Sequence, residues 1–118
     1  MTVFCKNARI HTDFRLADML TELQALVWDF ICISETRTPT ADMQLEGKHR
    51  LISHCGVEYG GVAILIHAEW AQYISVKKNF GDRILAIRIK TENRKFTIIS
   101  CYFPHAAFPV TALDAIYI

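Results

Sequence analysis

Val27-Trp28-Asp29-Phe30-Ile31-Cys32-Ile33-Ser34-Glu35-Thr36-Arg37 is the stretch that decides the fold. The run is short, and its core from Phe30 to Ile33 carries no charge. It reads as a strand, Val27–Ser34, buried on both faces. Glu35 stands where that strand would leave the sheet, with Arg37 two residues on. The carboxyl end of a buried strand is where open α/β sheets place their chemistry, and a carboxylate there can hold a hard cation such as Mg²⁺. The competing reading is a solvated acid loosely paired with Arg37, an arrangement that contributes little.

Working outward, Thr12 followed by Asp13 reads as a helix start, a hydroxyl cap and then an acid in the first turn. Leu16, Met19, Leu20, Leu23 and Leu26 recur at helical spacing, which predicts an amphipathic helix over Phe14–Leu26 whose apolar stripe covers the sheet. Before it, Val3–Lys6 reads as a short strand leading into Asn7. After the opening run the chain turns polar from Thr38 to Tyr59, with a short strand expected within Lys48–Ser53 and punctuation at Pro39, Gly47 and Gly56. Gly60-Gly61 then opens a second buried strand, Val62–His67. The glycine pair lacks the G-x-x-x-x-G-K-[ST] pattern of a phosphate loop and precedes a strand, so it reads as a turn. From Arg83 to Thr91 the apolar residues Leu85, Ile87 and Ile89 alternate with Arg88 and Lys90, the pattern of a half-buried antiparallel strand. Glu92-Asn93-Arg94 turns the chain, and Lys95–Tyr102 returns as the hairpin partner. Pro104 and Pro109 end regular structure, and 112–118 could begin a helix. These strands are expected to share one mixed, largely antiparallel sheet.

The order of the motifs is more specific than any one of them. Asn7-Ala8-Arg9-Ile10 comes first, then Asp29-Phe30-Ile31-Cys32-Ile33-Ser34-Glu35-Thr36-Arg37. Gly60-Gly61-Val62-Ala63-Ile64-Leu65-Ile66, Arg83-Ile84 and Thr97-Ile98-Ile99-Ser100-Cys101-Tyr102-Phe103-Pro104 follow. This set resembles the endonuclease/exonuclease/phosphatase superfamily, and most closely the endonuclease domains of non-LTR (LINE-type) retrotransposons and relatives such as the craniofacial development protein 2-like sequences. The resemblance covers nearly the whole chain. It implies an α/β fold, the first half of a four-layer α/β-sandwich, and Mg²⁺-dependent nicking of DNA.

The resemblance also implies roles. At the Glu35 position a carboxylate binds Mg²⁺, and at the Asn7 position an amide helps orient metal and scissile phosphate. Phosphodiester cleavage needs charge neutralisation and an activated water, and a hard cation serves both. Asn7 adds a donor and an acceptor without charge, and the Tyr102 hydroxyl could hydrogen-bond a phosphate oxygen. The catalytic set is thus Asn7, Glu35 and Tyr102, with Glu35 and Asn7 as the metal pair. Each has a plainer reading: a turn residue for Asn7, and a half-buried aromatic with a satisfied hydroxyl for Tyr102.

Other features run against an intact enzyme. The resembled domains carry "G-D-x-N" and "S-D-H" pieces beyond the region matched here. Neither occurs in this chain, and none of the five histidines follows an aspartate. His105, like His11, His49, His54 and His67, reads as an exposed loop residue. The expectation is a partial domain over 1–118, truncated before its second half and inactive alone. The alternatives are a non-enzymatic remnant or interaction module, or another phosphoesterase of the superfamily. A single sheet with one covering helix would leave an apolar face bare, so self-association through that face is expected.

Composition sets the outer bounds. At 118 residues there is one domain at most, and an apolar share of 52% supports a core and argues against disorder. A net charge of +1 gives no basic field of the sort that announces nucleic acid. The four cysteines show no C-x-x-C spacing, which argues against zinc or a disulfide frame and for an intracellular, reducing compartment. Those inside strand runs, Cys5, Cys32 and Cys101, read as small apolar residues. No apolar stretch approaches the ~20 residues of a membrane span, and no signal peptide precedes the first strand.

Overall fold

A computed structural model describes residues 1–7, 13–34, 36, 40–55, 61–80 and 83–101. The fold is mixed α/β with two packed sheets. Strands β1 (Val3–Asn7), β2 (Phe30–Ser34), β3 (Ala41–Gln44), β4 (Arg50–His54) and β5 (Val62–Ile66) form one sheet in the order β1-β2-β5-β4-β3. Strands β6 (Ile74–Asn79), β7 (Ile84–Lys90) and β8 (Lys95–Cys101) form a second, antiparallel sheet in the order β6-β7-β8. Helix α1 (Asp13–Leu23) connects β1 to β2, whose strands run parallel; every other pairing is antiparallel. A four-residue helix, α2 (Ala68–Ala71), follows β5.

The apolar runs become strands buried on both faces because each face meets a different layer. Ile31 and Ile33 of β2, Leu51 of β4, and Ala63 and Leu65 of β5 pack with Met19 and Leu23 of α1 and with Trp28. The alternate residues, Phe30, Ile52, Val62, Ile64 and Ile66, face Leu85, Ile87 and Ile89 of β7. Period-2 alternation in a strand sorts side chains between faces, so Phe30–Ile33 of β2 and all of β5 are apolar and buried. In β7 the inward set Leu85, Ile87 and Ile89 is buried, while on the other face Ile84 and Ala86 are half-buried and Arg88 and Lys90 exposed.

Several expectations change here. The strands expected to share one sheet divide between two, and the hairpin Ile84–Cys101 belongs to the second. That hairpin packs over the face that a one-sheet architecture would leave bare. The opening strand starts at Phe30, because Val27, Trp28 and Asp29 precede it in irregular chain. Just before β2, the Asp29 backbone still donates to the Thr2 carbonyl at 2.9 Å and accepts from the His67 N–H at 3.0 Å, while its carboxylate accepts from the Thr2 backbone N–H at 2.6 Å and from the Trp70 indole N–H at 2.8 Å. Helix α1 ends at Leu23 rather than Leu26 and is followed by turns, with Leu26 53% exposed. Within the polar stretch, Lys48 lies in a 3₁₀ turn (Glu46–Lys48) containing Gly47 at φ 80°, and β4 begins at Arg50. The segment 112–118 lies outside the described residues.

Candidate functional site

The parallel pairing of β1 and β2 sets their carboxyl ends side by side, with Asn7 in register with Ser34. Ser34 pairs across β5 with Val62, and Val62 with His54 at the carboxyl end of β4. Asn7, Ser34, Val62 and His54 therefore form one row across the end of the five-stranded sheet. The second sheet ends at the same rim. The Ser100 hydroxyl, near the end of β8, donates to the Ile33 carbonyl at 3.4 Å, and the Cys32 thiol approaches the Ile99 carbonyl at 3.7 Å. On the far side, Asn79 at the end of β6 lies 3.3 Å from His54 Nε2.

Glu35 and Tyr102 lie outside the described residues, as does the Asn7 side chain. What the structure fixes is their chain neighbours. Ser34 precedes Glu35 at the end of β2, and Thr36 follows it, fully buried with its N–H donating to the Gly61 carbonyl at 3.4 Å. Gly61 holds φ 95°, a conformation that a side chain disfavours, so a glycine is needed there. Cys101 precedes Tyr102, and Ser100 already contacts β2. The backbone thus brings the two strand ends before Glu35 and Tyr102 to one rim, with the end of β1 beside them. Arg37, His11 and His105 also lie outside the described residues.

Sequence reasoning passed over part of this rim. His54 is half-buried rather than an exposed loop residue. Its Nδ1 lies 3.4 Å from the Thr40 hydroxyl, which in turn accepts from the Cys55 N–H at 3.2 Å. Nearby, Asp42 of β3 binds Arg50 through two bonds at 2.6 and 2.7 Å and also meets Lys77 of β6. Hydrogen bonding from Arg50 leads the causes that hold the Asp42 carboxyl down at about 2. Lys77 and Lys78 sit on β6, an edge strand of the second sheet, and Lys77 pairs with Asp42 of the first sheet. No spacing rule flags the two contacts between the sheets, since Lys77 lies 35 positions from Asp42 and Asn79 lies 25 from His54.

None of the four cysteines forms a disulfide. Cys32 is buried, and burial pushes its thiol up to about 12; Cys101 shifts upward for the same reason. Cys5 differs from the apolar reading, being exposed on the edge strand β1.

Among the described residues, no group of three or more His, Cys, Asp or Glu side chains could hold a metal ion. In the sequence Glu35 stands between two hydroxyl residues, Ser34 and Thr36, and Ser34 is in register with Asn7 at the end of β1. No helix among the described residues is long and apolar enough to cross a membrane. Comparison with protein-family models found none that matches, and comparison with curated proteins found no match.

Proposed function

We propose that this chain is the amino-terminal part of a Mg²⁺-dependent phosphodiesterase domain of the endonuclease/exonuclease/phosphatase kind, of the LINE-type branch, acting on DNA. The observation that carries the reading is the shared rim: β1 ends in Asn7 there, β2 ends directly before Glu35, and β8 ends directly before Tyr102. Glu35 would hold the cation, with Asn7 beside it. When bound, Mg²⁺ supplies charge neutralisation at the phosphate and a water of lowered pKa. The Asn7 amide would orient a phosphate oxygen without adding charge, and the Tyr102 hydroxyl would donate to another. The four thiols fit work in a reducing compartment.

The 118 residues contain no general base of the "S-D-H" kind, so the chain alone is expected to be inactive. That same observation favours the second reading, a non-enzymatic interaction module. Two measurements separate them. Mn²⁺, a paramagnetic stand-in for Mg²⁺, should broaden the backbone signals of Asn7, Ser34 and Thr36 and spare those of His67 and Ala68 at the opposite end. Glu35→Gln should abolish the effect. Broadening that ignores Glu35→Gln would defeat the metal assignment. Supercoiled plasmid with Mg²⁺ should show no nicking above background, and nicking lost in Glu35→Ala would make the chain an enzyme by itself.

A further inference from the structure

At the end of the sandwich opposite the rim, two histidines cap one short helix. His67 is the N-cap of α2, and its Nδ1 accepts from the Glu69 backbone N–H at 3.2 Å. His49, ahead of β4, reaches the same turn, and its Nδ1 accepts from the Ala68 N–H at 3.0 Å. The two rings meet at 4.7 Å between centroids, and Trp28 lies 5.1 Å from one and 4.9 Å from the other. Both histidines are half-buried, not the exposed loop residues that the sequence alone suggests.

A backbone N–H can only donate. Each Nδ1 must therefore present its lone pair, and each neutral ring carries its proton on Nε2. An imidazolium has a proton on both nitrogens. Protonation of either ring sets N–H against N–H and removes that ring's cap, and no flip or rotation of a backbone amide restores it. Double protonation would also set two cations ring to ring inside a partly buried aromatic cluster.

We propose that His49 and His67 form an acid-sensitive latch, which holds α2 against the strand ends while both rings are neutral and releases it when either takes up a proton. The helix carries a consequential residue. The Trp70 indole donates to Asp29, which also binds the Thr2 N–H at the start of β1, and its ring lies against Phe30 and Phe96. Release of α2 would loosen the first strand and the junction of the two sheets together. Among the described residues, the charged groups on the elements around the pair are Asp29, Glu46 and Lys48 of the 3₁₀ turn, Glu69, and Arg50 at the start of β4, which is paired with Asp42. Asp29 is the acid that His67 influences, and it is already engaged by Trp70 and Thr2. Burial, then His67, moves His49 below its usual range, in the direction that a cap-bearing neutral ring requires.

The test begins on the unmodified chain. Nitrogen-15 spectra of the imidazoles at pH 7.5 should show both rings protonated at Nε2. On titration toward pH 5, the amide signals of Ala68 and Glu69 should shift several-fold more than those of Ile52 or Ile64, with the midpoints of the two rings. The denaturation midpoint should fall over the same range. The double variant His49→Gln, His67→Asn offers acceptors that do not titrate and should lose most of that fall. Protonation at Nδ1, amides that stay still while the rings titrate, or an undiminished pH dependence in the double variant would each overturn the latch.

Discussion

Truncating Ile87 to alanine tests whether the second sheet seals the first. Ile87 is fully buried, pairs with Lys77 and Ile98 on its two sides, and packs with Phe30, Val62 and Ile64 of the larger sheet. Alanine removes three carbons. At about 0.8 kcal/mol per buried methylene, the transfer loss alone is about 2.4 kcal/mol. The cavity left between two sheets that cannot fully close adds to it, so a total of about 3–4 kcal/mol is expected, inside the usual ~2–5 for such changes. With a urea slope of about 1–3 kcal/mol per molar, the midpoint should fall by at least about 1 M. Val76→Ala is the control: on β6 its side chain is 52% exposed, and its loss should cost under ~1 kcal/mol. If both variants melt alike, the three-stranded sheet does not cover the five-stranded one. Wild-type chain that also scatters light as an aggregate would then point to the bare face that a one-sheet architecture leaves.

Asp42 gives an acid-range prediction. Its folded pKa, about 2, lies below the ordinary carboxylate value, so its contribution is present above about pH 4 and is lost as pH falls through 2. Asp42→Asn should therefore be less stable than wild type at neutral pH, with the gap closing by pH 2; a gap that persists there would refute the ion-pair account. The cysteines should separate by reactivity. At neutral pH a maleimide should label exposed Cys5 within minutes and buried Cys32 only on unfolding, as read by peptide mass mapping, and equal labelling would show β2 to be open. Gly61→Ala should destabilise by about 1–2 kcal/mol, since φ 95° is strained for a side chain. It should also shift the Thr36 amide, which donates to Gly61; an unchanged Thr36 signal would detach that anchor.

How much of the fold the sequence revealed follows from which side chains face the other layer. Strands β2 and β5 were legible because Phe30–Ile33 and Val62–Ile66 are apolar on both faces, as a middle layer requires. The β7–β8 hairpin was legible from alternation and from the Glu92-Asn93-Arg94 turn, closed by Thr91 N–H onto the Arg94 carbonyl at 2.8 Å. Strand β6 was not, because two of its inward residues are Lys77 and Asn79, satisfied by Asp42 and His54 in the other sheet. Polar residues facing inward erase the alternation that marks a strand. Strand β3 has one half-buried residue, Ala41, and three exposed ones, so it leaves no periodic trace. The division into two sheets was hidden for another reason: alternation tells which face of a strand is buried, not which strand lies beside it. At the site, motif order singled out Asn7, Glu35 and Tyr102. His54 and Asn79 meet only through the packing of separate sheets, which no local spacing encodes.

That packing bears on what the rim could do. Asn7 ends β1 and Glu35 follows its parallel neighbour β2, so the pairing of Asn7 with Ser34 governs their relation. Tyr102 follows a strand of the other sheet, and its relation to Glu35 depends on how the sheets are registered. Two kinds of contact hold that register at the rim: Ser100 onto Ile33 beside the candidate residues, and Asn79 with His54 two strands away. Beneath them the apolar contacts among Phe30, Ile64, Leu85 and Ile87 resist separation of the sheets but tolerate sliding, because dispersion and hydrophobic burial are not directional. Hydrogen bonds are directional, and a shift of one residue would break both. The buried Ser100 hydroxyl is therefore a register pin in a place where an apolar residue would pack as well.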